Sequence, residues 1–141
     1  MSDAAQILSR TEVVVLVDWP SPEVPEALTR AGYKVFVKGG PGPKDYSMRE
    51  MHGDEVISRP LGERPDHADL IYAYRPLVEL AGIAAIGKQI GAQALWWATD
   101  PSGSCEDDSR RARAIAQEAG LEYVDGVDIV DTLRGLDRRE V

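Results

Sequence analysis

The sequence predicts one α/β domain, an open and mostly parallel sheet with helices on both faces. Short runs of β-branched and apolar residues alternate along the 141 residues with amphipathic helical segments, and no internal repeat or linker interrupts them. The segment 13–17 is apolar at every position. This is typical of a parallel strand buried on both faces, because a half-exposed antiparallel strand would alternate. With 43% hydrophobic and 28% charged residues, the chain can form a core of its own over residues 1–141.

The first part of the chain predicts a β-α-β unit. Residues 1–10 are predicted to form a short N-terminal helix, and residues 11–18 the first strand. Ser21 and Pro22 supply an N-cap and a first-turn proline for the helix that follows. The second strand is predicted at residues 33–38.

The middle of the chain is less regular. Two prolines and three glycines predict a loop at residues 39–47. Residues 48–58 predict a helical turn followed by a short strand at 55–57, and residues 60–67 predict a second loop.

The second half of the chain returns to alternating strands and helices. The predicted strands are 68–74, 94–98 and 121–124, and the predicted helices are 77–90, 106–119 and 127–136. Trp96 and Trp97 are adjacent in a strand, so we expect their side chains to pack on opposite faces of the sheet.

Charge and composition exclude several classes of partner. The net charge of −8, from 16 basic and 24 acidic residues, argues against nucleic acid, because no segment concentrates lysine or arginine. The apolar runs are far shorter than the ~20 residues of a membrane-spanning helix, and the N-terminus lacks the layout of a signal peptide. We therefore expect a cytoplasmic protein with no membrane partner. Cys105 has no second cysteine to pair with, and the two histidines, His52 and His67, lie too far apart for metal-ligand spacing.

In sheets of this class, ligands bind at the carboxyl ends of the strands, near the point where strand order reverses. Asp18 and Trp19 follow the first strand and are the first candidate binding residues. Asp18 would repel a pyrophosphate, and the next helix is poorly suited to anions, because Pro22 lacks an N–H and Glu23 already satisfies the helix dipole. These residues indicate either a ligand with a positive or neutral group near Asp18 or simply a well-capped helix.

Lys38 ends the second strand, where NAD-binding folds place a carboxylate for the ribose hydroxyls. A lysine instead suits a ligand that carries a phosphate on its ribose, and Gly39 and Gly40 let the backbone approach such a ligand closely. The alternative interpretation is a solvated lysine before a flexible turn.

Arg75 follows the strand predicted at 68–74 and lies at the same edge. It could form two parallel hydrogen bonds to a phosphate or carboxylate, or it could pair with Asp18 or Asp100. Thr99 and Asp100 follow the next strand and complete the candidate binding residues.

Four stretches of the chain resemble one known family. They are 31–36 (AGYKVF), 68–76 (ADLIYAYRP), 90–96 (IGAQALW) and 118–121 (EAGL). In this order and spacing they resemble the free-standing CoA-binding domain family, which is related to the nucleotide-binding domain of the succinyl-CoA ligase alpha subunit. The resemblance covers roughly residues 11–131. It implies a Rossmann-like fold and coenzyme A as the cofactor.

The sequence departs from this family after the first strand. Family members carry a Gly-Ala-Ser loop there, whose backbone N–H groups help to hold the CoA phosphates, whereas the residues Val17-Asp18-Trp19-Pro20 include no glycine. The family's Asn-Pro after the second strand is replaced by Lys38-Gly39-Gly40-Pro41. The resemblance therefore implies that CoA is bound weakly.

Two functions of different class follow from these features. The first is a non-catalytic binding module for CoA or a related adenine nucleotide. The alternative is a degenerate family member that no longer binds nucleotide and serves as a protein-interaction or dimeric scaffold, as a homodimer or with a partner protein. An enzyme is less well supported, because no Ser/His/Asp order and no complete P-loop is present, and no catalytic or metal residue is predicted.

Overall fold

The computed structural model describes residues 4–40, 42, 44–98 and 106–139. Within them the helices are Ala4–Ser9 (α1), Glu23–Arg30 (α2), Leu77–Gln89 (α3), Glu106–Glu118 (α4) and Ile129–Arg139 (α5). The strands are Val13–Val17 (β1), Lys34–Lys38 (β2), Tyr46–His52 (β3), Glu55–Pro60 (β4), Leu70–Ala73 (β5), Ala94–Trp97 (β6) and Glu122–Asp125 (β7). They form one sheet in the order β4-β3-β2-β1-β5-β6-β7.

The sheet confirms the predicted fold class. Strands β2, β1, β5, β6 and β7 pair in parallel, and only β3 and β4, at one end of the sheet, pair antiparallel. Among the described residues the sheet has helices on both of its faces, as a Rossmann-like domain requires. The chain is thus one α/β domain with an open, mostly parallel sheet.

Strand β1 lies at the centre of the parallel part, between β2 and β5. Its side chains alternate between two cores: Val15 and Val17 pack on one face, and Val14 and Leu16 on the other. All four are buried. The continuous apolar run is explained by this position, because each face of the strand needs its own apolar layer.

The helices divide between the two faces. α3 and α4 cover the face of Val15 with residues such as Leu80 and Ala112. α1, α2 and α5 cover the other face with residues such as Leu8 and Leu28. Trp96 packs in this second core, and the adjacent Trp97 packs in the first, which confirms the expectation from their sequence positions.

The prediction for residues 48–58 is correct for the short strand at 55–57, which lies within β4, and wrong for the helical turn before it. No helical turn forms there, and β3 and β4 instead make an antiparallel hairpin in which His52 pairs with Glu55. Gly53 and Asp54 form its two-residue turn, with Gly53 at a φ of 64°, a conformation that glycine adopts without steric cost. The loop predicted at 39–47 is shorter than expected because β3 begins at Tyr46, whereas the second loop is shifted and runs from 61 to 69.

Strand order reverses at β1. The chain passes from β1 to β2 on one side, continues through the hairpin, and then returns to β5 on the other side of β1. Loops that leave the carboxyl ends of β1, β2 and β5 therefore diverge around one point, which is where open α/β sheets form a crevice.

Candidate functional site

A cleft of about 650 Å³ lies at this point, beside the carboxyl ends of β1 and β2. Six of the eight candidate binding residues line it: Asp18, Trp19, Lys38, Gly39, Gly40 and Arg75. Thr99 and Asp100 lie outside the described residues. Ser47, Arg49 and Glu79, which the sequence did not single out, also line the cleft.

Asp18 begins the loop after β1 in a strained conformation. Its φ of 63° lies in the left-handed region, which side chains other than glycine rarely adopt. One carboxylate oxygen, Oδ1, accepts a hydrogen bond from the Trp19 N–H at 2.9 Å. The other, Oδ2, is thereby directed at Arg75 across the cleft.

Arg75 is fully engaged by two carboxylates. Its Nη1 lies 3.2 Å from Oδ2 of Asp18, and its Nε and Nη2 donate to the two carboxylate oxygens of Glu79 at 3.2 and 2.6 Å. These hydrogen bonds, from Glu79 first and Asp18 second, raise the pKa of the Arg75 guanidinium further above its already high ordinary value. The pairing with Asp18 confirms one of the two alternatives that the sequence left open.

Two features hold this ion cluster in place. The indole Nε1 of Trp97 donates to the backbone carbonyl of Arg75 at 2.9 Å, which ties the end of β5 to β6. Glu79 stands four residues after Arg75 in the first turn of α3, a spacing at which helical side chains meet. That spacing is the sequence signal that could have identified Glu79.

Lys38 has neutral partners. Its Nζ donates to the backbone carbonyl of Gly40 at 2.6 Å and lies 5.9 Å from the centre of the Tyr46 ring. Burial raises the pKa of the Tyr46 hydroxyl, and the charge of Arg64 opposes part of that rise, so Tyr46 offers Lys38 an uncharged ring. The charge of Lys38 is therefore not met by a carboxylate in these contacts.

The two glycines after β2 differ in their surroundings. A Cβ on Gly40 would lie 2.6 Å from Oδ2 of Asp45, so a side chain there would require the Asp45 carboxylate to move. A Cβ on Gly39 would meet nothing within 4 Å. The sequence predicted that a ligand would lie close to the backbone at Gly40. In the structure the side chain of Asp45, from the same loop, lies there instead.

Arg49 enters the cleft from β3. Its guanidinium carbon lies 5.4 Å from the centre of the Trp19 ring, at the distance of a cation–π contact. Ser47 lies two residues earlier on the same face of β3, opposite Val37. The signal that could have located both residues is Gly53-Asp54, a typical two-residue hairpin turn, flanked by segments of strand length.

Helix α2 starts one residue later than predicted. Its N-cap is Pro22 instead of Ser21, and no side chain caps it. Glu23 and Glu26 stand in the first turn, and Glu23 also accepts a hydrogen bond from Arg134. As expected from the sequence, this helix N-terminus already carries its own carboxylates and offers little to an anion.

The cleft therefore carries charged side chains on both of its sides. Asp18, Arg75 and Glu79 form an acidic cluster with one cation between two carboxylates, on the side of β1 and α3. Lys38 and Arg49 stand on the side of β2 and β3. Such a set of side chains can bind a ligand with a negative group at one end and a neutral or positive group at the other.

No group of three or more His, Cys, Asp and Glu side chains among the described residues could hold a metal ion. None of the helices in the described part of the chain is long and apolar enough to cross a membrane.

Comparison with known proteins gives the fold a counterpart. No protein-family model and no curated protein matches this sequence. A solved structure with a similar fold is that of Prb, a PH1109 protein redesigned for binding. It matches with a TM-score of 0.62 and 20% sequence identity, over 94% of this chain and 89% of that chain. The match extends over nearly the whole chain and supports an α/β domain with an open sheet.

Proposed function

We propose that this chain is a non-catalytic binding module that holds CoA or a related adenine nucleotide weakly in the cleft at the carboxyl ends of β1 and β2. The observation that carries the proposal is the position of Lys38 and Arg49 beside the strand-order reversal. Open α/β sheets bind nucleotides at this point, and a volume of about 650 Å³ falls within the ~300–1,000 Å³ of small-molecule sites.

Lys38 favours a ligand with a phosphate on its ribose. It ends β2, where NAD-binding folds use a carboxylate, and within the described part of the chain it contacts a carbonyl and an aromatic ring. A phosphate group could replace the Gly40 carbonyl as its partner and would gain a charge-assisted hydrogen bond. CoA carries such a ribose phosphate, whereas dephospho-CoA and NAD lack it.

The expected affinity is low because the first loop is unsuited to a pyrophosphate. Asp18 presents a carboxylate, and Pro22 and Glu23 stand at the N-terminus of α2, where members of the resembled family have glycine-loop N–H groups. Losing one or two charge-assisted hydrogen bonds, at about 1.5–3 kcal/mol each, weakens binding by roughly one to several powers of ten.

Calorimetric titration with CoA, dephospho-CoA and NAD tests the proposal. We expect CoA to bind most tightly and NAD least. Lys38→Gln should weaken CoA binding about tenfold or more and leave dephospho-CoA unchanged. Lys34→Gln is the matched control, because Lys34 stands at the opposite end of the same strand and is exposed. A preference for dephospho-CoA would exclude Lys38 from the site, and tight CoA binding would contradict our interpretation of the first loop.

A second candidate function is a protein-interaction or dimeric scaffold that no longer binds nucleotide. The pairing of Arg75 with Asp18 and Glu79 favours it, because this part of the cleft already satisfies its own charges. Absence of binding to all three ligands would favour the scaffold.

A further inference from the structure

The cleft contains two arginines in opposite electrostatic situations. Arg75 donates from three nitrogens to the carboxylates of Asp18 and Glu79, so its charge and its geometry are both satisfied within the protein. Arg49 contacts the face of an indole, that of Trp19, and forms no ion pair among the described residues. An arginine stays charged at any pH at which the protein folds, so the charge of Arg49 needs an anion or water.

The Nε atom of Arg49 is also left without an acceptor. It is shielded from solvent and has no hydrogen-bond partner among the described residues. Buried donors are nearly always paired in folded proteins, and an unpaired one indicates a missing partner or a functional constraint. The Trp19 ring, 5.4 Å from the guanidinium carbon, provides no hydrogen-bond acceptor, so the donors of Arg49 remain for another molecule.

Arg49 shares the cleft with other phosphate-binding side-chain types. Ser47 lies on the same face of β3, whereas Lys38, at the end of β2, is paired with Tyr46, which packs on the other face of the sheet. All three line the cleft. A lysine, an arginine and a hydroxyl are the side chains most often used to bind phosphate oxygens.

We propose that Arg49, together with Lys38 and Ser47, binds a phosphomonoester group of the ligand, and that Arg75 does not contact it. This proposal rests on the proposed function, because it assigns the phosphate of the same ligand to the β3 side of the same cleft. The acidic cluster of Asp18, Arg75 and Glu79 repels the phosphate and directs it toward β3. The separation of charge along the cleft then selects ligands with a phosphate at one end only. A ligand with phosphates at both ends binds poorly, because one of them meets the acidic cluster.

The three tryptophans provide a direct test, because each indole N–H reports on a different place. Trp19 stacks on Arg49, the indole of Trp97 donates to the Arg75 carbonyl, and that of Trp96 donates to the Val127 carbonyl. In a ¹H–¹⁵N spectrum, inorganic phosphate and then CoA should shift the Trp19 signal and leave the other two in place. Sodium chloride at the same ionic strength is the control for screening.

Charge-matched variants identify the arginine that binds. Arg49→Gln should weaken phosphate and CoA binding by about tenfold or more. Arg59→Gln removes the same charge from β4, where Arg59 pairs with Glu50, and should change affinity less than about twofold. If Arg49→Gln does not fold, Arg49→Lys, which keeps the charge but loses the planar donors, should still weaken binding measurably.

The outcomes separate this proposal from the proposed function. Unchanged CoA affinity in Arg49→Gln, or a shift of Trp97 in place of Trp19, overturns the role of Arg49 while CoA binding stands. Loss of phosphate binding in Arg49→Gln, with no preference for CoA over phosphate, supports the role of Arg49 and contradicts the nucleotide proposal. The absence of a shift in all three tryptophan signals, with phosphate and with CoA, overturns both.

Discussion

Strand β1 and the β3–β4 hairpin contribute to the same cleft from contrasting environments. β1 lies between two parallel neighbours, under helices on both faces, and only its first residue is not buried. The hairpin lies at the end of the sheet, and four of the six residues of β4 are exposed. β1 leads into Asp18 and Trp19, whereas β3 supplies Ser47 and Arg49.

The difference indicates that stability and recognition are carried by separate parts of this domain. Substitutions in β1 should destabilise the domain, because the side chains on both faces of this strand are packed in a filled core. Most hairpin side chains are exposed or half-exposed, whereas Tyr46 and Met48 pack against the core, so substitution of the others should change binding more than folding. Four stability measurements test this division.

The largest effect is expected at Val15. This residue has no exposed surface, and Val15→Asp would place an unpaired carboxylate between helix and sheet, which costs several kcal/mol against a typical total stability of ~5–15 kcal/mol. We expect no cooperative thermal unfolding of this variant. The control is Met51→Asp in β3, because Met51 is 41% exposed and its variant should fold. A soluble Val15→Asp protein with an unchanged melting temperature would contradict the doubly covered sheet.

A second test concerns how tightly α3 covers β5. A Cβ on Gly87 would lie 3.0 Å from Cγ2 of Ile71, whereas a Cβ on Gly82 of the same helix would meet nothing within 4 Å. Gly87→Leu should therefore destabilise the domain by about 1–3 kcal/mol through overpacking. Gly82→Leu should stabilise it by about 0.5–1 kcal/mol through helix propensity. Equal effects in urea unfolding would show that the two positions are packed alike.

Asp69 stands just before β5 and links it to the start of β1. Its substitution should lower the free energy of unfolding by a smaller amount that depends on pH. Its Oδ2 accepts the N–H groups of Glu12 and Val13 at 3.0 and 2.9 Å. Burial alone would raise the pKa of Asp69, but these two hydrogen bonds, with His67, outweigh burial and lower it. We expect Asp69→Ala to cost about 1–2 kcal/mol near neutral pH.

The sign of the pH dependence follows from the lowered pKa. The contribution of Asp69 should be complete above the ordinary carboxyl pKa of about 3.9 and should disappear as the pH falls through the lower value of the folded state. Urea unfolding of wild type and variant at neutral and acid pH measures it. Asp66→Ala in the same loop is the control, because Asp66 is exposed. A difference between wild type and Asp69→Ala that grows toward acid pH would refute this account.

The smallest effect is expected in the hairpin. Arg59 and Glu50 form an ion pair of 3.1 Å, with side chains that are 54% and 35% exposed. Exposed pairs of this kind contribute little, so Arg59→Gln should change the free energy of unfolding by less than about 0.5 kcal/mol. A loss above about 1.5 kcal/mol in chemical denaturation would show that the hairpin is part of the stable core.

The same division explains which parts of the fold could be predicted from the sequence. Continuous apolar runs such as 13–17 identify buried parallel strands, because two apolar layers leave no polar position. In β3 the order Ser47-Met48-Arg49-Glu50 carries no strong apolar alternation, so helix and strand could not be distinguished by periodicity. The turn residues Gly53-Asp54 were the better signal there.

The candidate site was predictable where it depends on strand ends. Asp18, Lys38 and Arg75 each follow a strand of the parallel part, and topology brings such positions together. Arg49 was not predictable in this way, because it reaches the cleft from the middle of an antiparallel strand. The two hydrogen bonds from Arg75 to the Glu79 carboxylate depend on side-chain conformations, which the four-residue spacing alone does not determine.

The two edge strands, β4 and β7, determine whether this sheet can pair with strands of other molecules. A free strand edge can template further strands and lead to aggregation. β4 carries the charged Glu55 and Arg59 and ends at Pro60, which lacks an N–H, while β7 is only four residues long and ends in Asp125. Both edges are thus poor templates for β-sheet extension. Together with a net charge of −8, they should keep concentrated solutions of this protein free of fibrillar assembly.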